Sequence, residues 1–500
     1  MTQVPRAGAA ALRIGLAALL GTLSSCMVGP DYERPGLAAP PTYTRESLPE
    51  KTASTPIPGG EEQRFVKDLD IPGQWWTLFQ SAPLSALIDR ALQSSPTLAA
   101  AHAALRQARE LAAAQEGLLF PTLQASFVPS YQKSSGTLAP PLNNNTLKYA
   151  LYNSQLSVGY TLDVFGGTRR ALESMEAQAE FQRFQLEAAV LTLTANLVVA
   201  AVQEASLRAQ IGATREVIAF NTKSLDLLRR QLGAGAVTGL EVAAQEAALA
   251  QVQQTLPPLE KQLEQNRDLL LALAGGFPND RAEEPFDLTG LHLPENLPVS
   301  LPSKLVEQRP DVRAAEAQLH SSSALIGVAV ANRLPQFTIS AAYGGLSTQF
   351  GRMFDPGNTF WSVMGSATQT LLSGGTLMHQ QRAAEAAFDQ ASANYRGAVL
   401  TGFQNVADTL YALQSDADSL KAAVLAERSA KVTLGIVQKQ VQAGQVNYLS
   451  LLSAQAAFQQ AAIIRVQAQA IRLADTAALF QALGGGWWNR PALPEKKTER

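Results

Sequence analysis

The sequence predicts a mainly α chain with a small β part, built twice from long coiled-coil helices and pairs of strands. Three observations predict it. The first is a proline-free stretch from Thr168 to Leu232 with a single glycine, Gly212. Every seventh residue from Val190 reads Val190, Leu197, Glu204, Ile211, Ile218, Leu225 and Leu232. The places three further on are Leu193, Ala200, Leu207, Thr214, Asn221 and Leu228. Apolar first and fourth places of a heptad make a coiled-coil seam. A helix of this length reaches roughly 100 Å at about 1.5 Å per residue, more than one globular core needs. The second observation is that the seam returns 209 residues later as Val399, Val406, Leu413, Leu420, Glu427, Leu434 and Val441. Other landmarks repeat with it: Pro96 with Pro310, Pro121 with Pro335, Ala234-Gly235 with Ala443-Gly444, and Leu273 with Leu483. Such self-similarity marks an internal duplication, with small insertions in loops. The third is a period-2 pattern: Leu156, Val158, Tyr160 and Leu162 alternate with Ser157, Gly159, Thr161 and Asp163. The second copy repeats it, with Phe337, Ile339, Ala341 and Tyr343 set against Thr338, Ser340 and Ala342. One oily and one polar face per strand is the outcome.

Composition narrows the function. Charged residues are 16% of the chain, against about 25% in ordinary soluble domains. A net charge of −2 gives no reason to expect nucleic acid. The one cysteine, Cys26, excludes an intrachain disulfide. The four histidines are scattered, and six methionines form no cluster. No phosphate-binding loop, zinc-binding helix or nucleophile elbow is present. No catalytic residue, metal site or cofactor is therefore expected, and the chain does not read as an enzyme.

Taken in order, residues 1–25 read as an export signal. Arg6 and Arg13 supply the positive start, and the run Ile14 to Leu20 is shorter than the roughly 20 residues a spanning helix needs. Leu23-Ser24-Ser25-Cys26 resembles the lipobox of bacterial lipoproteins, which implies lipidation of Cys26 and an anchor in outer-membrane lipid. An ordinary signal peptide with a stray cysteine is the alternative. Residues 26–72, rich in proline, threonine and glycine, read as an extended tether. The first repeat occupies 73–278. Pro83 to Ser94 and Pro96 to Leu119 predict two short helices, and Leu123 to Tyr131 and Tyr149 to Val164 two strands. The long rod follows and ends at Gly233-Ala234-Gly235. Thr238 can cap a returning helix, whose seam is Val242, Leu249, Leu256, Leu263 and Leu270. Pro257-Pro258 predicts a kink or break in it. Residues 279–302 read as a linker rich in proline and acidic residues, 303–486 as the second repeat and 487–500 as a polar tail. The fourth strand opens at Trp361 and is expected to end near Leu371.

The strands could form a small soluble sheet or part of a transmembrane barrel. Strands of about 9–11 residues, oily on one face and polar on the other, suit a membrane. Four cannot close a barrel, because the smallest outer-membrane barrels have about eight strands. An open edge has no partner in lipid, so membrane insertion requires oligomerisation.

Several motifs carry a family resemblance. Met27-Val28-Gly29-Pro30-Asp31-Tyr32-Glu33-Arg34-Pro35 resembles the mature start of NodT-type outer-membrane lipoproteins of the TolC-like efflux family. Trp75-Trp76-Thr77-Leu78-Phe79, Tyr160 to Gly167, Ala443 to Gln455 and Leu483 to Trp488 continue the likeness. It implies a homotrimer, with a helical α-barrel below a 12-stranded transmembrane β-barrel to which each chain gives four strands. It also implies a periplasmic adaptor protein and an inner-membrane pump as partners, and export of small molecules through an outer-membrane conduit that reaches into the periplasm. Gly166, Gly167, Gly374 and Gly375 match the strand–helix junctions. The turns 233–239 and 442–448 match the family's tips, which makes Gly235, Val237, Thr238, Gly444, Val446, Asn447 and Tyr448 expected adaptor contacts. Leu449 matches the leucine that narrows the pore, and Leu240 is its counterpart in the first repeat. Ser453 stands where the family often has an aspartate, and Ala456 where it often has an arginine, so the usual charged latch is missing here. Glu241 could supply negative charge at that level, or could be a helix-start glutamate favoured by the macrodipole. A protein-secretion conduit and a coiled-coil lipoprotein without a pore also remain open from the sequence.

Overall fold

The computed structural model describes residues 27–36, 40, 42–46, 49–135, 148–280, 284–300 and 302–491. The signal segment, Cys26, the loop with Pro140-Pro141 and Asn143 to Asn145, and residues 492–500 lie outside the described residues. The elements in order are β1 (Arg64–Lys67), α1 (Ala82–Ser94), α2 (Pro96–Gly117), β2 (Thr122–Lys133), β3 (Lys148–Leu162), α3 (Gly167–Gly233), α4 (Gly239–Gln253), α5 (Leu256–Leu273), β4 (Asn296–Val299), α6 (Pro302–Gln308), α7 (Pro310–Ala331), β5 (Gln336–Ser347), β6 (Thr359–Thr368), α8 (Thr376–Gln442) and α9 (Tyr448–Ala482). The order helix, helix, hairpin, rod, return occurs twice. Both rods, α3 and α8, are 67 residues long.

The chain forms two compact units, and each draws on both repeats. One comprises residues through Pro35, Leu105–Gln182 and Ala315–Tyr395; the other comprises Gly36–Ala104, Arg183–Ala314 and Arg396–Arg500. The first contains a four-stranded antiparallel sheet in the order β2-β3-β5-β6. The two hairpins meet at β3 and β5, so the duplicated halves share one sheet. The segment from Val28 to Arg34 is pinned in the same unit. Arg170, buried on α3, donates to the Val28 and Gly29 carbonyls and pairs with Asp31 at 2.6 Å. Tyr32 stacks on His320 of α7 at 4.3 Å, and Arg34 pairs with Glu316.

The second unit holds the helical seams. Val190, Leu197, Leu207, Ile211, Leu225 and Leu228 of α3 are buried, as are Val399, Val406, Leu413 and Leu420 of α8. By composition α3 contains a stretch apolar enough to cross a bilayer, but 61% of that window is buried inside the protein. Its apolar surface is used in packing. Leu263 of α5 joins Leu207 and Ile211 in one cluster. Trp75, Trp76 and Phe79 are buried on a short 3-10 turn, and Trp75 stacks on Phe480 at 5.4 Å.

The structure corrects two readings and adds a contact between the tether and the linker. There β1 and β4 pair in parallel as a two-stranded sheet with register Arg64↔Asn296 to Lys67↔Val299. Strands of four residues, one carrying Pro298, are too short to show an alternation. The fourth strand ends at Thr368, not near Leu371. The packed body also runs past residue 486: Trp487 donates to the Gln308 carbonyl, Trp488 and Asn489 donate to Asp70, and Arg490 pairs with Glu187. The expected break at Pro257-Pro258 is present, since both prolines sit in the first turn of α5, where their missing N–H costs nothing. In the second repeat α9 has no proline and runs unbroken for 35 residues.

Candidate functional site: the sheet face, the junctions and the paired turns

Strand register sorts the sheet into two faces. Residues directly opposite across strands share a face. Leu123 and Phe127 of β2 therefore lie with Leu156, Val158 and Tyr160 of β3, Ile339 and Tyr343 of β5, and Trp361 and Val363 of β6. Most of these are exposed, Trp361 to 76%. The other face is mostly polar, with Gln124 and Ser126, Gln155 and Ser157, Thr338 and Ser340, and Ser362 and Ser366, though Val128, Leu346 and Met364 also lie on it. Phe350, beyond β5, packs edge-on against Phe127 and Tyr152 on the apolar face. An exposed apolar face backed by a mostly polar one fits a sheet with lipid on one side and water on the other. β2 and β6 each have one edge without a strand partner among the described residues.

The glycine junctions lie where β3 gives way to α3 and β6 to α8. Gly166, Gly374 and Gly375 have φ of +76°, +60° and +87°, conformations that a side chain disfavours. Asp163 completes the first junction. Its two carboxylate oxygens accept the Thr168 and Arg169 amides, each at 2.9 Å, satisfying donors at the start of α3. The matching place in the second copy is Leu371, which is fully exposed.

The two tip turns are built alike. In the first, Gly235 takes φ +73°, its amide reaches the Leu232 carbonyl and the Ala236 amide reaches Gln231. In the second, Gly444 takes φ +71°, with Gly444 to Val441 and Gln445 to Gln440. Each is a Schellman termination around a left-handed glycine. Glu241 serves its own helix start: its carboxylate accepts the Thr238 amide at 2.6 Å and the Thr238 hydroxyl at 2.9 Å. Asn447 caps α9, accepting the Ser450 amide at 3.0 Å. Leu240 and Leu449 are exposed, to 70% and 49%. Ser453 turns its hydroxyl back to the Leu449 carbonyl. Val446 is half-buried and Gly444 exposed.

Tyr448 and Val237 depart from the picture of free adaptor contacts. Both pack on a cluster formed by Leu225, Leu228 and Val242, which brings the two turns together. The Tyr448 hydroxyl donates to Gln245 Oε1 at 2.9 Å. Gln245 Nε2 in turn donates to the Asn221 carbonyl at 2.9 Å. Gln245 has no exposed surface, so an unmet Oε1 there would cost about 1–3 kcal/mol. Burial pushes the Tyr448 pKa up, with a Ser224 hydrogen bond opposing it, so the hydroxyl stays a donor at neutral pH. One part of this hydrogen-bonded series is legible in the sequence, because Asn221 is a polar occupant of the seam.

Two further buried polar groups were unforeseen. Glu204, the charged place in the first seam, faces Arg267 at 3.3 Å; burial raises its pKa against that pairing. Arg472 of α9, fully buried, donates to the Gly59 and Glu61 carbonyls and to Thr52, holding the tether. No group of three or more metal-ligating side chains occurs among the described residues.

Comparison with known proteins agrees with this geometry. The profile of the family described as outer membrane efflux protein matches residues 87–276 and again 301–485. Outer membrane protein OprJ of Pseudomonas aeruginosa is 27% identical over 487 residues, covering 97% of this chain and 96% of its own. The pyoverdine export outer membrane protein OpmQ of Pseudomonas aeruginosa is 31% identical over 424 residues, covering 83% and 87%. The solved structure of the outer-membrane channel OprN superposes with a TM-score of 0.81 at 25% identity, over 92% of this chain and all of its own. Twice matched by the profile, once for each structural repeat, the chain belongs to the outer membrane efflux protein family and is an outer-membrane protein.

Proposed function

We propose that the chain is the outer-membrane channel subunit of a three-part efflux system, a passive conduit that lets small organic molecules cross the periplasm and outer membrane. The observation that carries this is the sheet: an exposed apolar face, a mostly polar opposite face and two edges without a strand partner among the described residues, joined through glycine junctions to two 67-residue helices. Unpaired edges have no place in lipid, so the sheet needs copies of itself, and three chains give a closed barrel of twelve strands. Leu240 and Leu449 narrow the conduit at the paired turns, with Glu241 and Ser453 beside them. The exposed surfaces around Gly235, Thr238, Gly444, Val446 and Asn447 meet a periplasmic adaptor, and an inner-membrane pump supplies the energy. No group in the chain is assigned to chemistry.

Residues 1–25 are read as a removed signal and Cys26 as the lipidated first residue. The clamp on Val28 to Arg34 supports this, because it fixes the chain that follows Cys26 beside Phe165, where the Val28 amide reaches the Phe165 carbonyl at 3.1 Å. Residues 73–278 and 303–486 are the two repeats, joined by 279–302. Purified protein in planar bilayers tests the reading. Discrete conductance steps are expected, and a protein that leaves the bilayer sealed would be a scaffold without a pore.

A further inference from the structure

The charged latch that the family resemblance implies is missing at Ser453 and Ala456, yet the two turns are held together. We propose that the hydrogen-bonded chain Tyr448–Gln245–Asn221 is the latch, positioning Leu449 at the constriction by fixing the start of α9 to the α3–α4 hairpin. This rests on the proposed role of Leu449 in narrowing the conduit.

The geometry supplies the mechanism. Tyr448 is the first residue of α9, and Asn447 ahead of it caps the helix. Its ring sits on the apolar cluster of Leu225, Leu228 and Val242, and its hydroxyl is held by Gln245. Successive helix residues point about 100° apart. Turning Tyr448 into the first hairpin therefore turns Leu449 away from it, and Leu449 is half-exposed. Gln245 is itself oriented from the far side, because its Nε2 donates to the Asn221 carbonyl and side chain. Tyr448 thus cannot swing out without leaving the fully buried Gln245 Oε1 unpaired. Neutral donors and acceptors hold this contact, so a change of pH near neutrality leaves it in place.

The test uses the full-length channel with two readouts. Single-channel conductance in planar bilayers is compared for the wild type, Tyr448→Phe, Gln245→Met, their double variant and Leu449→Ala. Arg229→Ala is the control, since it breaks an exposed ion pair to Glu246 in the same hairpin without touching the latch. The second readout is the spin-label distance between Ala234→Cys and Ala443→Cys, in trimers diluted with unlabelled chains. Cys26, the sole native cysteine, is blocked by its lipid in the proposed mature form. The latch is supported if Tyr448→Phe and Gln245→Met each at least double the conductance, the double variant adds nothing, and the label distance grows by several ångströms. It is overturned if the label distance is unchanged in Tyr448→Phe, or if Arg229→Ala opens the channel as far. Leu449→Ala separates the two ideas: unchanged conductance there sinks the constriction while the label distance still judges the latch.

Discussion

Asp416 of α8 and Asp475 of α9 stand side by side across the helix pair, close enough for a protonated Asp416 carboxyl to hydrogen-bond its neighbour. Burial, then the neighbouring Asp475, lifts the Asp416 pKa to about 7, with Arg472 opposing. The folded state thus keeps a proton that the unfolded chain has lost between about pH 4 and 7, so stability falls as pH rises through that window and the cost is complete above it. The half-exposed setting reduces the effect to about 1 kcal/mol. Asp416→Asn is expected to raise the melting temperature in detergent by about 1–3 °C at pH 8 and to leave it unchanged at pH 4. Glycines give a second test. Gly444 and Gly212 both have open space around them, so only the backbone decides. Gly444→Ala, in a left-handed turn, should cost about 1–2 kcal/mol. Gly212→Ala, inside α3, should add about 0.5–1 kcal/mol, both read from denaturant midpoints. The sequence made the turn glycines legible through their match between repeats. It did not reveal Gln245, because a heptad count marks polar seam places without saying which of them find partners.

Strands and rods were legible because each has a period: seven for the seams, most of whose places are buried, and two for the faces of the sheet. β1 and β4 were not, since four residues carry no period and their pairing joins positions more than 200 residues apart. The sheet faces also make a prediction at neighbouring positions. Val363 and Ser362 are adjacent on β6 but face opposite ways. Val363→Arg puts a charge on the exposed apolar face, at a cost of about 2–4 kcal/mol if it lies near the bilayer middle. Ser362→Arg puts the same charge on the polar face. Membrane fractionation should recover folded protein from the second variant and little from the first. Equal recovery would mean that the apolar face meets something other than lipid.

At the scale of the molecule, the duplication and the membrane impose one requirement together. Joining two hairpins at β3 and β5 leaves β2 and β6 each with an edge that has no strand partner among the described residues, and hydrocarbon offers no donor or acceptor to satisfy it. A helix satisfies its own backbone; a four-stranded sheet cannot. In the proposed assembly edges meet edges, and since the chain presents β2 on one side and β6 on the other, the meeting is head to tail and closes as a ring. The proposed ring of three makes β2 and β6 interior strands. Amide exchange of the detergent-extracted protein should therefore be as slow in β2 and β6 as in β3 and β5, and its native mass should correspond to three chains, each with lipid on the amino-terminal peptide. Fast exchange confined to β2 and β6, at the mass of one chain, would leave the edges open in solution and remove the barrel.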